Sequence, residues 1–439
     1  MNRQNPPVQR TDWAEREVEE FLSLPFVSEF VFRSPQHIDS IQSEHEVVDF
    51  LILHRGIGIL ISQKCQDDPT RRTIEKTEAW ARKKAKEAVG QLRGALRTGT
   101  GRPIWCDHPR RGRVDFPEGL PTIRHSVVLV EVFQPVDLNV EAVHLPLDYQ
   151  GIPITYLSVN DFLNLALELR TVPEVLEYLE ARHALPFPDL RVIGDEKSLF
   201  QFYVLNDGSF EGCAGRADAR VTVVAWQEQL QQRLEQKWES DRYSSILEDV
   251  AHKLATRHPD YADGLSPEML ARFDPPAQRM NYLKMQEVLA DLRLRERAEL
   301  GYQFYSVIEN LSTQVQGLTY GVAFLDSKPD WVFVFVSSKG LERRELLERG
   351  TMLMRGAMAY YEKTCCLRVI DRDGQSYEVA IGELRGQPLI TDYEIGTRLF
   401  GHLQIKSVPL EFMPPVNFPV TSVLMPLSSQ ETKSAPIGY

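Results

Sequence analysis

The chain has 439 residues, 43% of them hydrophobic and 26% charged, with a formal charge of -12. This is globular material sufficient for two or three domains, and the negative balance argues against a protein wrapped uniformly by nucleic acid. Five scattered cysteines (Cys65, Cys106, Cys213, Cys365, Cys366) form no disulfide framework, the opening "MNRQNPPVQRTDW" has no apolar core, and no run reaches about 18 apolar residues, so an unexported cytoplasmic protein with no membrane partner is expected.

In chain order, "DWAEREVEEFLSL" puts Trp13, Val18, Phe21 and Leu22 on one stripe behind Asp12, which predicts a first helix. Three strands follow, "SEFVFRS", "EVVDFLILH" and "GIGILISQK", with "HRG" as the tight connection between the last two. "TEAWARKKAKEAVGQLRGAL" sets Ala81, Ala85, Ala88, Val89, Leu92 and Leu96 at helical spacing opposite Arg82, Lys83, Lys86 and Arg93, an amphipathic helix with a basic outer face. A loop rich in Gly, Pro and Arg is expected next, then strands at "HSVVLVEVF" and "IPITYLS". "SVNDFLNLALELRTVPEVLEYLEARHAL" reads as two short helices capped by Ser158 and Thr171, with Pro173 in the first turn of the second.

A boundary is expected between residues 185 and 220. A helical middle over 220–315 then runs through "AWQEQLQQRLEQKWES", "SSILEDVAHKLAT", "SPEMLARF" and the long pattern "MNYLKMQEVLADLRLRERAELGYQFYSVIENL". Residues 316–425 read as an α+β domain: strands at "YGVAFLD" and "WVFVFVSS", a helix over "ERRELLERGTMLMRGAMAYYEK", and a hairpin from "CCLRVID" through "RDGQ" to "YEVAIGEL". Residues 426–439 read as a disordered tail.

Asp49 stands among Val47, Val48, Phe50, Leu51 and Ile52, a costly place for a carboxylate unless a metal, a hydrogen bond or a counter-charge meets it. Strand alternation puts Ser62 and Lys64 on one face and Gln63 on the other unless a bulge intervenes. Asp49 on the neighbouring strand then lies beside Lys64, with Glu15 on a helix nearby. Such a set suits phosphodiester hydrolysis: carboxylates bind Mg²⁺ or Mn²⁺, and an ammonium steadies the attacking water or the developing charge. The plain alternatives are an edge-strand aspartate, an edge-blocking lysine and a solvated glutamate.

The order helix-Glu, strand, strand-Asp, strand ending in Lys, then a helix bearing Gln resembles the PD-(D/E)XK nuclease superfamily, and within it the nuclease-related (NERD) and Mrr-like branches. The resemblance spans residues 11–135. It implies an α/β restriction-endonuclease-like domain, a mixed central sheet flanked by helices, over 11–185. It also implies Glu15 as the first-helix glutamate, Asp49 as metal ligand, Lys64 as the motif lysine and Gln91 as a supporting glutamine, with Asp49 and Glu15 around a Mg²⁺ or Mn²⁺ ion. The family places an acidic residue, or sometimes Gln, two positions before the lysine. Here that position is Ser62, which lowers the expected metal affinity, and Gln63 takes the role only if the strand slips by one.

Charge is distributed unevenly. From residue 71 to 113 thirteen basic residues face four acidic ones, and Arg82, Lys83, Lys86, Arg93, Arg97, Arg110 and Arg111 are the candidates for phosphate contacts; a solvated helix face and loop is the alternative. Cys65, Cys106 and His108 lack a fourth zinc ligand and read as buried groups. The expectation is a metal-dependent nuclease acting on DNA or RNA, with microbial restriction or defence implied by the resemblance alone. The competing class is an inactive nuclease-fold protein that binds nucleic acid or scaffolds an assembly, and residues 220–439 are the candidate surface for a second copy or a partner protein.

Overall fold

The computed structural model describes residues 18, 27–38, 43–66, 73–99, 101–108, 111–132, 144–185, 196–257, 276–312, 317–372, 374, 376–384, 386–402, 404–407 and 422–425. The chain divides into two compact units, 1–234 and 235–439, both of mixed α/β content.

The first unit is built on a six-stranded sheet of β1 (Val31–Arg33), β4 (Phe50–His54), β5 (Ile57–Cys65), β8 (Thr122–Glu131), β10 (Ile152–Leu157) and β9 (Asp148–Tyr149), in that spatial order. β1, β4 and β5 are antiparallel neighbours, whereas β5, β8 and β10 run parallel. The expected meander therefore feeds a parallel half, and the long helix α1 (Ile74–Gly99) is part of the crossover from β5 to β8.

Alternation along the strands divides the core in two. Phe50, Ile52, Ile59, Ile61, Val127 and Leu129 pack with helices α2 (Val159–Leu169) and α3 (Val172–His183). Leu51, Leu60, Val128 and Val130 pack with Ala81, Ala85, Ala88, Val89, Leu92 and Leu96, the apolar stripe of α1. Alanines on that stripe let the helix lie close to the sheet. Its C-terminal end is fixed by Leu120 N–H donating to the Gly99 carbonyl at 2.8 Å; at Gly119 (φ +89) a Cβ would stand 1.9 Å from that same oxygen, so only glycine fits there.

Ser158 and Thr171 cap α2 and α3 as their sequence predicts, accepting from Asp161 N–H and Glu174 N–H. The segment expected as a Gly/Pro/Arg loop instead contains the hairpin β6 (Ile104–His108) and β7 (Gly112–Phe116). With β2 (Gln36–Ile38) and β3 (Glu44–Glu46) it forms a separate four-stranded sheet, order β3-β2-β6-β7. Two further helices, α4 (Glu196–Leu205) and α5 (Arg216–Ala225), occupy the region where a boundary is expected. The predicted first helix lies outside the described residues except for Val18, which is buried in the core with α2.

The second unit holds helices α7 (Ser244–Arg257), α8 (Pro276–Ala290) and α9 (Leu294–Ser312), with α6 (Gln227–Asp241) running across the division between units. Its six strands are β11 (Gly317–Ala323), β12 (Trp331–Lys339), β13 (Cys365–Arg372), β14 (Ser376–Glu383), β15 (Gln404–Ser407) and β16 (Ser422–Met425), in the order β14-β13-β12-β11-β16-β15. β12 and β13 are parallel, joined through α10 (Arg343–Tyr360), and β13 and β14 form the predicted hairpin. α9 belongs to this sheet: Phe304 stacks on Phe335 at 5.2 Å and Thr319 Oγ1 donates to the Val307 carbonyl. A last helix, α11 (Ile390–Phe400), buries Phe400 in the core on the α10 side.

The pattern over 280–311 suggests one helix, but the chain breaks between Ala290 and Leu294. The fully buried Arg297 explains the break. Its Nε donates to the Leu289 carbonyl at 2.7 Å and one Nη to that of Ala290, satisfying the end of α8. "SPEMLARF" and the predicted tail 426–439 lie outside the described residues.

Candidate active site

β5 keeps a regular register against β8 from Ile59 to Cys65, its one shift lying between Gly58 and Ile59. Ser62 and Lys64 therefore share the α1 face of the sheet with Leu60. Phe50 pairs with Ile61, which brings Asp49, one residue before β4, opposite Ser62 and onto the same face. Asp49 Oδ2 accepts the Gln63 backbone N–H at 2.6 Å and stands 3.8 Å from Lys64 Nζ, which itself donates to the Gln63 carbonyl at 3.0 Å. The side chains of Asp49 and Lys64 are 26% and 17% exposed, held by the fold yet open to a solute.

Around this pair the elements converge. Ser62, fully buried, donates through Oγ to Oε1 of Gln91 on α1 at 2.9 Å. Glu46, at the end of β3, hydrogen-bonds to Asp49 and to Ser34. Its carboxyl is raised above the usual carboxylate range, first by lost hydration, then by the Asp49 charge and the Asp49 hydrogen bond, against the weaker pull of Ser34 and Lys64. A cation beside Glu46 and Asp49 would offset the proximity of their carboxyl groups. Glu87, one turn before Gln91, is held below the usual range chiefly by its hydrogen bond from Lys84, at 2.6 Å, with Lys84, Lys83 and Lys64 adding their charges.

The structure thus brings together Asp49, Lys64, Ser62 and Gln91, and adds Glu46 and Glu87, which sequence reasoning missed. A signal for Glu46 exists in "EHEVVD", where a second acid stands three residues before Asp49. Gln63 requires a correction. Because the register does not slip, its side chain points away from Lys64 into the opposite layer, where both amide atoms are buried with no hydrogen-bond partner among the described residues, and only its backbone reaches the site. Glu15 lies outside the described residues.

On α1, Arg82, Lys83, Lys86, Arg93 and Arg97 are all exposed. Lys83 approaches Glu87 at 3.9 Å and Arg93 lies over the Tyr149 ring; Arg82, Lys86 and Arg97 have no acidic partner among the described residues. Arg82, Lys83 and Lys86 border an open surface depression. Arg111 is engaged in the fold instead, donating to the Glu29 carbonyl at 3.3 Å and lying over Phe32, and Arg110 is outside the described residues. Cys106 Sγ donates to the Arg33 carbonyl and His108 Nε2 meets the Ser28 carbonyl, so each is committed separately. Burial, then the Asp107 charge, pushes the Cys106 thiol up to about 11, far from the thiolate that zinc requires.

Among the described residues no group of three or more His, Cys, Asp or Glu side chains is placed to hold a metal ion. The donors at the site are two hard carboxylates, Asp49 and Glu46, whose hydrogen bond and mutual repulsion a cation would relieve. That set fits a hydrated Mg²⁺ or Mn²⁺, which commonly binds one or two carboxylates and retains its waters; it does not fit an ion needing a full protein cage. Ser62 adds no charge. No family model, curated protein or solved structure matches this chain.

Proposed function

We propose that the first unit is a metal-dependent nuclease of restriction-endonuclease-like architecture that hydrolyses phosphodiester bonds in DNA or RNA, with Asp49 and Lys64 at its centre. The observation that carries this reading is the 3.8 Å approach of Lys64 Nζ to Asp49 Oδ2 at adjoining strand ends, partly exposed beside a cationic helix.

Asp49, with Glu46 next to it, would hold a Mg²⁺ or Mn²⁺ ion, whose chemistry when bound is to polarise a phosphate oxygen and lower the pKa of a water. Lys64 is fixed by the Gln63 carbonyl and Asp49, so its ammonium is oriented before substrate arrives and meets charge growing on the phosphate oxygens. Gln91, tied to Ser62, holds α1 against this strand end. Arg82, Lys86 and Arg97 supply phosphate contacts along the helix. Cleavage of plasmid and single-stranded DNA in Mn²⁺ tests the reading: Asp49→Asn is expected to lose activity by about 100-fold or more, and equal rates in variant and wild type would overturn it.

One observation favours a second reading. The motif position is a neutral, fully buried serine already bonded to Gln91, which suits a domain that binds nucleic acid without cutting it. Oligonucleotide binding by wild-type protein with no cleavage in either Mg²⁺ or Mn²⁺ would establish that alternative.

A further inference from the structure

A groove opens beside the site, a cavity of about 220 Å³ lined by His37, Glu46, Val47, Gln91, Gly94 and Thr98 among others. Two of its walls also belong to the site: Gln91 is bonded to Ser62, and Glu46 to Asp49. Whatever occupies the groove therefore adjoins the phosphate that Asp49 and Lys64 would address. Gly94 stands inside the 26-residue α1, where glycine weakens a helix relative to alanine. Packing does not demand it, since a Cβ there would meet no atom within 4 Å. Its missing side chain leaves the groove open.

Size and chemistry narrow the occupant. The volume lies below the roughly 300 Å³ at which sites for whole small-molecule ligands begin, and suits one flat ring. Glu46 disfavours a phosphate. Its carboxylate and the Gln91 amide match the exocyclic amine of cytosine or adenine, and the His37 ring offers a surface on which a base stacks. A base inside a duplex cannot enter, because it is already stacked and paired. Resting on the nuclease reading of the site, we propose that this groove holds one unpaired, amine-bearing base of the strand being cut, which makes single-stranded or frayed nucleic acid the substrate.

The test is fluorescence anisotropy with labelled single-stranded cytosine and thymine tracts of equal length, in EDTA, so that binding is read without cleavage. Wild type is expected to bind the cytosine tract about tenfold more tightly, the scale of one base contact. Gly94→Leu, which fills the groove, is expected to remove that preference. Gly90→Leu, one turn earlier with equally open space around its Cβ, keeps it; His37→Ala, expected to weaken the preference, serves if Gly94→Leu does not fold. Equal affinity of wild type for the two tracts, or a preference surviving both Gly94→Leu and His37→Ala, would overturn the proposal. An intact preference in a protein that never cuts would overturn the nuclease reading alone.

Discussion

Both units contain a central strand with Ser-x-Lys at or next to its end, and the two ends have opposite fates. In the first, β5 carries Ser62, Gln63 and Lys64 just before its last residue, Cys65, and the carboxylate that meets them, Asp49, is partly open to solvent. In the second, β12 closes with Ser337, Ser338 and Lys339, and the nearby carboxylate is Asp371 on the parallel neighbour β13. Asp371 is only 2% exposed, accepts from Ser337 Oγ at 2.9 Å and from Gly374 N–H at 3.1 Å, and so stabilises the strand end and the hairpin turn. The helices differ in the same sense. On α10, Arg343, Arg344, Arg349 and Arg355 are matched by Glu378, Glu348, Glu345 and Asp392, whereas Arg82, Lys86 and Arg97 on α1 have no such partner among the described residues. One arrangement consumes its charges internally and the other leaves them available to a ligand.

Removing each carboxylate in turn should separate the two strand ends most clearly. Asp49→Ala should abolish metal-dependent cleavage while shifting stability by about 1 kcal/mol or less, because the group is partly solvated. Asp371→Ala should do the reverse, destabilising the second unit by about 1–3 kcal/mol through the buried Ser337 hydroxyl left unpaired, with cleavage unchanged; chemical denaturation and the cleavage assay read both. Charge reversal comes next. The triple variant Arg82→Glu, Lys86→Glu, Arg97→Glu should lower oligonucleotide affinity and reduce the slope of log K against log salt by about 0.7–0.9 for each phosphate no longer neutralised, and the same reversals at Arg343, Arg344 and Arg349 should leave binding in place.

Smaller effects distinguish the two serines. Ser62→Ala removes a hydroxyl whose partner, Gln91, is on an exposed helix position, so about 1 kcal/mol or less is expected in an unfolding titration. Ser337→Ala strips a buried carboxylate of a donor and should cost more, about 1–3 kcal/mol. Acid affects the first unit through His125, fully buried and bonded to Thr155 Oγ1 at 2.8 Å. Burial above all, then the charges of His183 and Arg182, pushes its imidazole down to about 3. Since the unfolded chain binds that proton at about pH 6.5, the stabilisation present above this value is lost as pH falls toward 3. His125→Gln should flatten that dependence in denaturation curves measured at several pH values.

Residues with strong periodicity were the legible part of the chain. The apolar stripe of α1, the caps Ser158 and Thr171, and the runs that became β4, β5, β8 and β10 each carry a local pattern that tertiary packing reinforces. The small sheet was illegible for the converse reason. Strand β3 is short, wholly polar and exposed at every position, and β7 begins in a stretch whose Gly and Arg content suggests a loop, its alternation being confined to the half-buried Val114 and Phe116. Glu46 was hidden with them: "EHEVVD" offers a second acid three residues before Asp49, but that spacing alone does not say that the two carboxyl groups meet. The placement of Gln63 followed from alternation once the register was known to be regular, and only the structure supplies that register.

Lys64 is the residue on which the nuclease reading turns, because its ammonium lies 3.8 Å from Asp49 Oδ2 without being buried. Single-turnover cleavage of a labelled single strand in Mn²⁺, wild type against Lys64→Ala, reads its contribution directly. The expected result is a loss of about 100-fold or more in rate with the affinity for the same strand in EDTA reduced only by the one charge. Equal rates in the two proteins would contradict that reading.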